Sequence, residues 1–330
     1  MNSRERVEAV LAGGSADRTP AGSWGHTYRE EWSPQALARI TVERQRRFGW
    51  DFVKFQPRAS CFAEAFGSEY RPSNHALRAP KLVRHAVQSL DDWDRVGADA
   101  AGHPALAAQV ESIRLVCAEL GPDVPVVQTV FSPITVAGYL VGKDKRRAVR
   151  QLRENPEVVG AALRRIAQAM ADFSRRSVEA GAAGIFYAIS GYASRDVMKL
   201  DEYERLLLPY DLAVLDELPR QAWFNIVHMC GSHLNFELVR QLPVSVVSWS
   251  VQNQGNPTLA EGRERGGKPV MGGMAQAGTL HHGSVEDVMG QARDAVRETD
   301  GKGFILAPGC SVRPGARNDN LVAMMKAVAA

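Results

Sequence analysis

The chain's 330 residues are 45% apolar and 23% charged, an ordinary balance for a folded soluble protein that excludes wholesale disorder. With 40 Lys and Arg against 37 Asp and Glu, the net charge is only +3, without the clustered basic field that nucleic-acid binding requires. Four widely spaced cysteines, and no N-terminal stretch resembling a signal peptide or membrane span, fit a cytoplasmic protein whose thiols serve as metal ligands or small core residues.

Eight short runs rich in β-branched and aromatic residues alternate with stretches of helical spacing, which predicts a parallel α/β fold. In chain order the predicted strands are Thr19–Trp24, Asp51–Gln56, Val124–Phe131, Gly184–Ser190, Trp223–Cys230, Val244–Ser250, Pro269–Met274 and Phe304–Ala307. Helical spacing covers Pro34–Arg47, Ala105–Leu120, Pro156–Glu179, Asp201–Leu218, His233–Gln241, Val285–Glu298 and Asn318–Val328. Ser284 and Asp287 form a capping-box pattern at the start of one of these helices. Eight strands in a chain of this length predict a single (β/α)8 TIM barrel. Arg58–Pro104 has no clear strand-helix pair and is rich in charge and proline, so an insertion or lid over the barrel mouth is expected there. Cys61 and Cys117 read as buried small apolar residues. The basic run Lys143–Arg153 reads as a solvated helix face, with an acidic partner as the alternative.

His228 and Cys230 end the fifth run, and residues two apart on a strand share a face. Cys310 follows the eighth run within three residues. In a parallel barrel the segments after the strands open onto one mouth, so these three side chains can meet near the axis. One imidazole and two thiolates suit zinc, and three protein ligands leave a fourth position for a reacting group. The plainer alternative is a hydrogen-bonded core histidine and two inert thiols. Among the other polar residues at strand ends, His26, Lys54 and Tyr187 are the catalytic candidates, and Gln56 and Asn253 the cofactor-contacting ones. Each can equally be a hydrogen-bonded wall residue. Gly272-Gly273 either lets a flat cofactor approach or makes a tight turn, and the turn is the preferred reading.

Several segments carry a family resemblance: His228-Met229-Cys230-Gly231, Val246-Val247-Ser248-Trp249, Val270–Met274, Ile305–Cys310, Asn318–Leu321, Phe48–Lys54 and Phe131-Ser132-Pro133. Together they resemble the uroporphyrinogen decarboxylase superfamily over most of the chain. That resemblance implies either a true decarboxylase or one of the zinc enzymes that exchange methyl groups with a corrinoid protein, such as the methylcobamide:coenzyme M methyltransferases. The methyltransferase branch uses a His-x-Cys pair plus a distant Cys, which His228, Cys230 and Cys310 match. The decarboxylases have a histidine where Cys310 stands, an arginine-rich stretch after the first strand and an aspartate for the pyrrole nitrogens. Here the corresponding segments read Trp24–Arg29 and Lys54–Arg58, without that aspartate. The resemblance therefore implies methyl transfer to or from a small thiol, thioether or methyl ether. Uroporphyrinogen decarboxylation and a non-catalytic tetrapyrrole- or corrinoid-binding barrel are the alternatives. The branch often carries an acidic fourth zinc ligand near the sixth strand's end, whereas Ser248–Asn253 offers only Gln252 or Asn253, or leaves the place to water. No Asp-x-His-x-x-Gly corrinoid-binding sequence occurs, so the corrinoid is expected on a separate partner protein.

Overall fold

The computed structural model describes residues 1–97 and 100–329, the side chain of Ala101 excepted. Its strands are β1 (Val53–Phe55), β2 (Glu69–Arg71), β3 (Lys81–Arg84), β4 (Val126–Phe131), β5 (Gly184–Ser190), β6 (Ile226–Cys230), β7 (Val246–Trp249), β8 (Val270–Met274) and β9 (Phe304–Pro308). Seven of them form one sheet in the order β1-β4-β5-β6-β7-β8-β9, every neighbouring pair parallel. Sequential order with helical crossovers is what eight alternating runs imply, and the sheet accounts for seven of them.

The remaining run, Thr19–Trp24, is extended but does not form a regular strand. Gly22 N–H donates to Leu306 O and Leu306 N–H to Pro20 O on one side, while Asp51 N–H donates to Ala21 O on the other. Pro20 has no N–H to give, and the Ala21 N–H goes to the Asp51 carboxylate at 2.9 Å rather than to a backbone carbonyl. Pairing is thus reduced to isolated bridges, Ala21 with Leu306 and Gly25 with Val312.

Side-chain alternation divides each strand between two environments. Val53 and Phe55 pack with Leu37, Val42, Ile113, Val116 and Val126 on the helix side. Lys54, between them, points the other way, toward the rings of Trp24 and Phe186. Among the surrounding helices, Pro156–Glu179 buries Val159, Leu163, Ile166, Met170 and Phe173, a three-and-four spacing that makes one apolar stripe. Burying each such large side chain stabilises the fold by about 1.5–3 kcal/mol.

Two predicted helices come out differently. The stretch Asp201–Leu218 is broken into Leu200–Leu206 and Leu208–Leu215, because Pro209 cannot donate to the preceding turn. His233–Gln241 yields only a short 3-10 turn at Phe236–Gln241. Helices at Ser3–Leu11, Pro133–Leu140 and Leu259–Gly266 carry too little amphipathic contrast over their short lengths to stand out in the sequence.

The segment Arg58–Pro104 includes residues 98 and 99, which lie outside the described residues. Its remainder holds the short helix Cys61–Glu64, the antiparallel ribbon β2–β3 and short 3-10 turns. The ends are anchored: Phe62 stacks on Phe131 at 4.4 Å, Val87 N–H donates to Leu140 O, and Trp93 Nε1–H donates to Gln151. The ribbon between is exposed apart from Tyr70, which is half-buried against the core.

Candidate metal centre

His228 and Cys230 lie on β6 in register with Ser248 of β7 and Ser190 of β5. Cys310 arrives from the end of β9, and the step across is made by Gly309. Its N–H donates to Met274 O, and it presses so closely on Ser250 that an added Cβ would lie 2.7 Å from the Ser250 Cα. The result is one ligand atom each from His228, Cys230 and Cys310, all within 4.8 Å of one another. His228 is buried; its Nδ1 lies 3.1 Å from Ser248 Oγ, while its Nε2 has no hydrogen-bond partner. The two thiols compete for protons. A hydrogen bond from Cys230, together with the nearby His228, holds the Cys310 pKa below that of a free thiol against the opposing effect of burial, and the same pairing pushes Cys230 up.

A hydrogen-bonded chain approaches this cluster from the N-terminal segment. Glu31, itself buried, accepts from His26 Nδ1 at 2.7 Å and from Thr27 N–H. That leaves His26 Nε2 to accept from Gln56 Nε2 at 3.1 Å. The Gln56 carbonyl oxygen accepts from Lys54 Nζ at 2.5 Å and from Ser311 Oγ at 3.5 Å, next to Cys310. The Lys54 ammonium lies 4.7 Å from the centre of the Phe186 ring, which in turn stacks on His228. Burial lowers the Lys54 pKa to about 7, opposed by the negative charge of Cys310 and Glu31. Three of the candidates, His26, Lys54 and Gln56, are therefore joined by hydrogen bonds, and the chain ends at Ser311 beside the cluster of His228, Cys230 and Cys310.

The profile of the uroporphyrinogen decarboxylase (URO-D) family matches residues 2–330, almost the entire chain. The chain belongs to the uroporphyrinogen decarboxylase family. Among the proteins this chain is similar to, the methylcobamide:CoM methyltransferase MtaA of Methanosarcina barkeri is 25% identical over 98% of this chain and 96% of its own length. The methylcobamide:CoM methyltransferase MtbA of Methanosarcina acetivorans is 21% identical over the same shares. A uroporphyrinogen decarboxylase from Anaeromyxobacter is 24% identical over 90% of this chain and 85% of its length. In fold, the solved structure of a methyltransferase from Methanosarcina mazei superposes with a TM-score of 0.84 at 22% identity, covering 100% of this chain and 98% of that one.

Within this member of the uroporphyrinogen decarboxylase family the other candidates fall outside the cluster. Tyr187 sits on the opposite face of β5 from Phe186, fully buried against the helices, where its hydroxyl donates to Asp211 at 2.6 Å. Tyr203 donates to the other Asp211 oxygen at 2.7 Å, so the expectation that Tyr187 orients substrate gives way to a structural hydrogen bond. Gly272 and Gly273 are strand residues paired with Leu306 and Ala307, so the expected turn is not there. Gly273 has φ +98° and lies where a Cβ would meet Ala295 at 2.8 Å, which accounts for glycine by helix packing rather than by a flat cofactor. Asn253 donates to Gly231 O at 3.0 Å and Asn256 to the same oxygen at 2.9 Å, fixing the backbone just after Cys230. Gln252 Nε2 likewise donates to Gly273 O, so both amide nitrogens are held by backbone carbonyls.

Reading the sequence missed Ser248, Gly309, Glu31 and Lys145. Ser248 was legible as the strand residue opposite His228 once the register was known. Lys145 belongs to the run taken as a solvated face, yet its charge lowers the Cys230 pKa and its ammonium lies beside Gly191, next to Ser190 at the end of β5. Nothing in the local sequence marks it.

The donor set passes a simple fit test for zinc. Tetrahedral zinc with Zn–S of about 2.3 Å and Zn–N of about 2.0 Å sets its donor atoms roughly 3.5–3.8 Å apart. A triad within 4.8 Å, with a partnerless buried imidazole nitrogen and one thiol already favoured as thiolate, can reach that spacing by side-chain adjustment.

Proposed function

We propose that this protein is a zinc-dependent methyltransferase. In this reading it moves a methyl group between a small thiol, thioether or methyl ether and a corrinoid carried by a separate protein, in the cytoplasm. The observation that supports it most is the convergence of His228, Cys230 and Cys310, drawn from strands that are not neighbours, at the ends of β6 and β9. The relatives named methylcobamide:CoM methyltransferases, matched over nearly their full length, support the same reading. Zinc held there would act as a Lewis acid, keeping a thiol ionised at neutral pH or polarising a leaving heteroatom.

The chain's own residues set the conditions for that chemistry. Ser248 holds the His228 ring, so that Nε2 is the nitrogen available to the ion. Lys54 offers a positive charge beside Cys310 when protonated and, with its pKa near 7, a proton acceptor when not. Gln56, His26 and Glu31 keep that amine in place. In the direction that methylates a thiol, the thiol loses its proton and the S–C bond forms as the Co–C bond breaks, taking cobalt(III) to cobalt(I).

We read Thr19–Trp24 as the eighth stave of a closed barrel, since it is hydrogen-bonded to both Leu306 and Asp51. We read segment 58–104 as a lid. It leaves β1 at the strand end, and its Ala76 and Leu77 help line a cavity of about 470 Å³ with Gly25, His26, Val312 and Arg313.

Purified protein with about one zinc per chain should change the cobalt spectrum of methylcob(III)alamin when a suitable thiol is present, and His228→Ala and Cys230→Ala should abolish the change. If zinc-free protein instead converts uroporphyrinogen to coproporphyrinogen, the reading is wrong.

A further inference from the structure

We propose that the ribbon β2–β3, with the loop joining its strands, is the docking surface for the corrinoid-carrying protein, whose matching surface is apolar at its centre and acidic around it. This rests on the methyl-transfer reading above. Met1 apart, the large hydrophobic side chains exposed among the described residues are Leu77, Leu82 and Val83, and all three belong to this ribbon and its loop. Every residue of β3 is exposed, so both faces of that strand meet solvent. A two-stranded ribbon has little stability of its own in water, and clustered exposed apolar side chains mark contact sites more often than chance.

Charge selects the partner. Glu69 is the single acidic residue in 69–84, and it is bound to Arg84 at 2.6 Å. Arg71, Arg78 and Lys81 have no ion pair among the described residues, leaving three cations around the apolar positions. An acidic rim meets them favourably, and a second copy of this ribbon would bring like charges together.

Position completes the argument. Leu77 lines the same cavity as His26 and Val312, and Val312 follows Cys310 by two residues. A protein seated on the ribbon would lie beside this cavity, whose walls include His26 and the segment that directly follows Cys310. A free corrinoid does not need the ribbon, whereas a protein-borne one does.

The test uses the full zinc-loaded chain with two variants, Leu82→Asp/Val83→Asp and Arg71→Glu/Arg78→Glu/Lys81→Glu. Two donors are compared: free methylcob(III)alamin, and a purified methylated corrinoid protein from the same organism. Binding of that protein is also titrated directly by fluorescence anisotropy, independently of turnover. The expected result is transfer from free methylcobalamin within about twofold of the parent, with KM and Kd for the corrinoid protein raised about tenfold or more. The charge variant should also show a flattened salt dependence of binding. Unchanged Kd in both variants would overturn the proposal, as would equal losses with both donors or a parent dimer that the ribbon variants split into monomers. Should the parent fail to use free methylcobalamin at all, methyl transfer is what fails, and the anisotropy titration still decides the surface.

Discussion

Replacing Gly309 with alanine should cost both stability and metal, and the size of each loss follows from one contact. The new Cβ would lie 2.7 Å from Ser250 Cα and 2.8 Å from its Cβ and Oγ. Non-bonded carbons rest about 3.5–4.0 Å apart, so the two segments must separate by roughly 0.7–1.3 Å. Overpacking of this kind costs about 1–3 kcal/mol, which a urea titration of metal-free protein can read. Cys310 is the next residue and must move with the backbone, while a metal–sulfur distance tolerates only about 0.2 Å. Zinc affinity, measured by competition with a chelating dye, should therefore fall about tenfold or more. Gly290→Ala is the control: it lies inside the helix Val285–Glu298 with nothing within 4 Å of an added Cβ, and should gain about 0.5–1 kcal/mol with zinc affinity unchanged. A Gly309→Ala protein that matches the parent in both stability and zinc affinity would refute the claim that this contact places Cys310.

Cys310→Ser should release zinc under a chelator challenge that leaves Cys61→Ser and Cys117→Ser fully loaded, because burial raises both of those thiols, Cys117 to about 12, and keeps them inert; equal loss from all three would sink the assignment. Asp211 should make the fold less stable as pH rises from about 4 to 7. Burial lifts its pKa from 3.8 to about 7, so the folded state holds a proton that the unfolded chain has released across that interval. The full effect corresponds to about 4 kcal/mol, and Asp211→Asn, which can still bond both tyrosines, should remove that part of the pH dependence in urea titrations at pH 4.5 and 7. An unaltered slope in the variant would show that Asp211 does not carry it.

The strand positions were legible because each buried run is short, apolar and flanked by helical spacing, and the meeting of His228, Cys230 and Cys310 because His-x-Cys fixes two side chains on one strand face. What was not legible depended on partners distant in the chain. Tyr187 looked like a strand-end polar residue, but its fate was set by Asp211 and Tyr203 in a later pair of helices. Gly272 and Gly273 looked like a turn because a glycine pair signals one locally, whereas the packing against Ala295 that requires the second comes from across the helix layer. The Thr19–Trp24 run has strand composition, yet Pro20 and the Asp51 carboxylate decide its hydrogen bonding. His26, Lys54 and Gln56 could be named one by one, but not the chain of hydrogen bonds that links them.

The separation of the three donors along the chain also bears on when metal can be captured during synthesis. His228 and Cys230 emerge together, but Cys310 follows 80 residues later, after β7, β8 and β9. A nascent chain that has reached only β6 offers two donors from a single flexible strand, a chelate open to exchange with any competing thiol. The third donor comes into range only once β9 has paired with β8 and Gly309 has packed against Ser250. If the centre holds zinc as proposed, tight loading is a property of the finished sheet, and a ribosome-bound intermediate gains nothing from an early encounter with the ion.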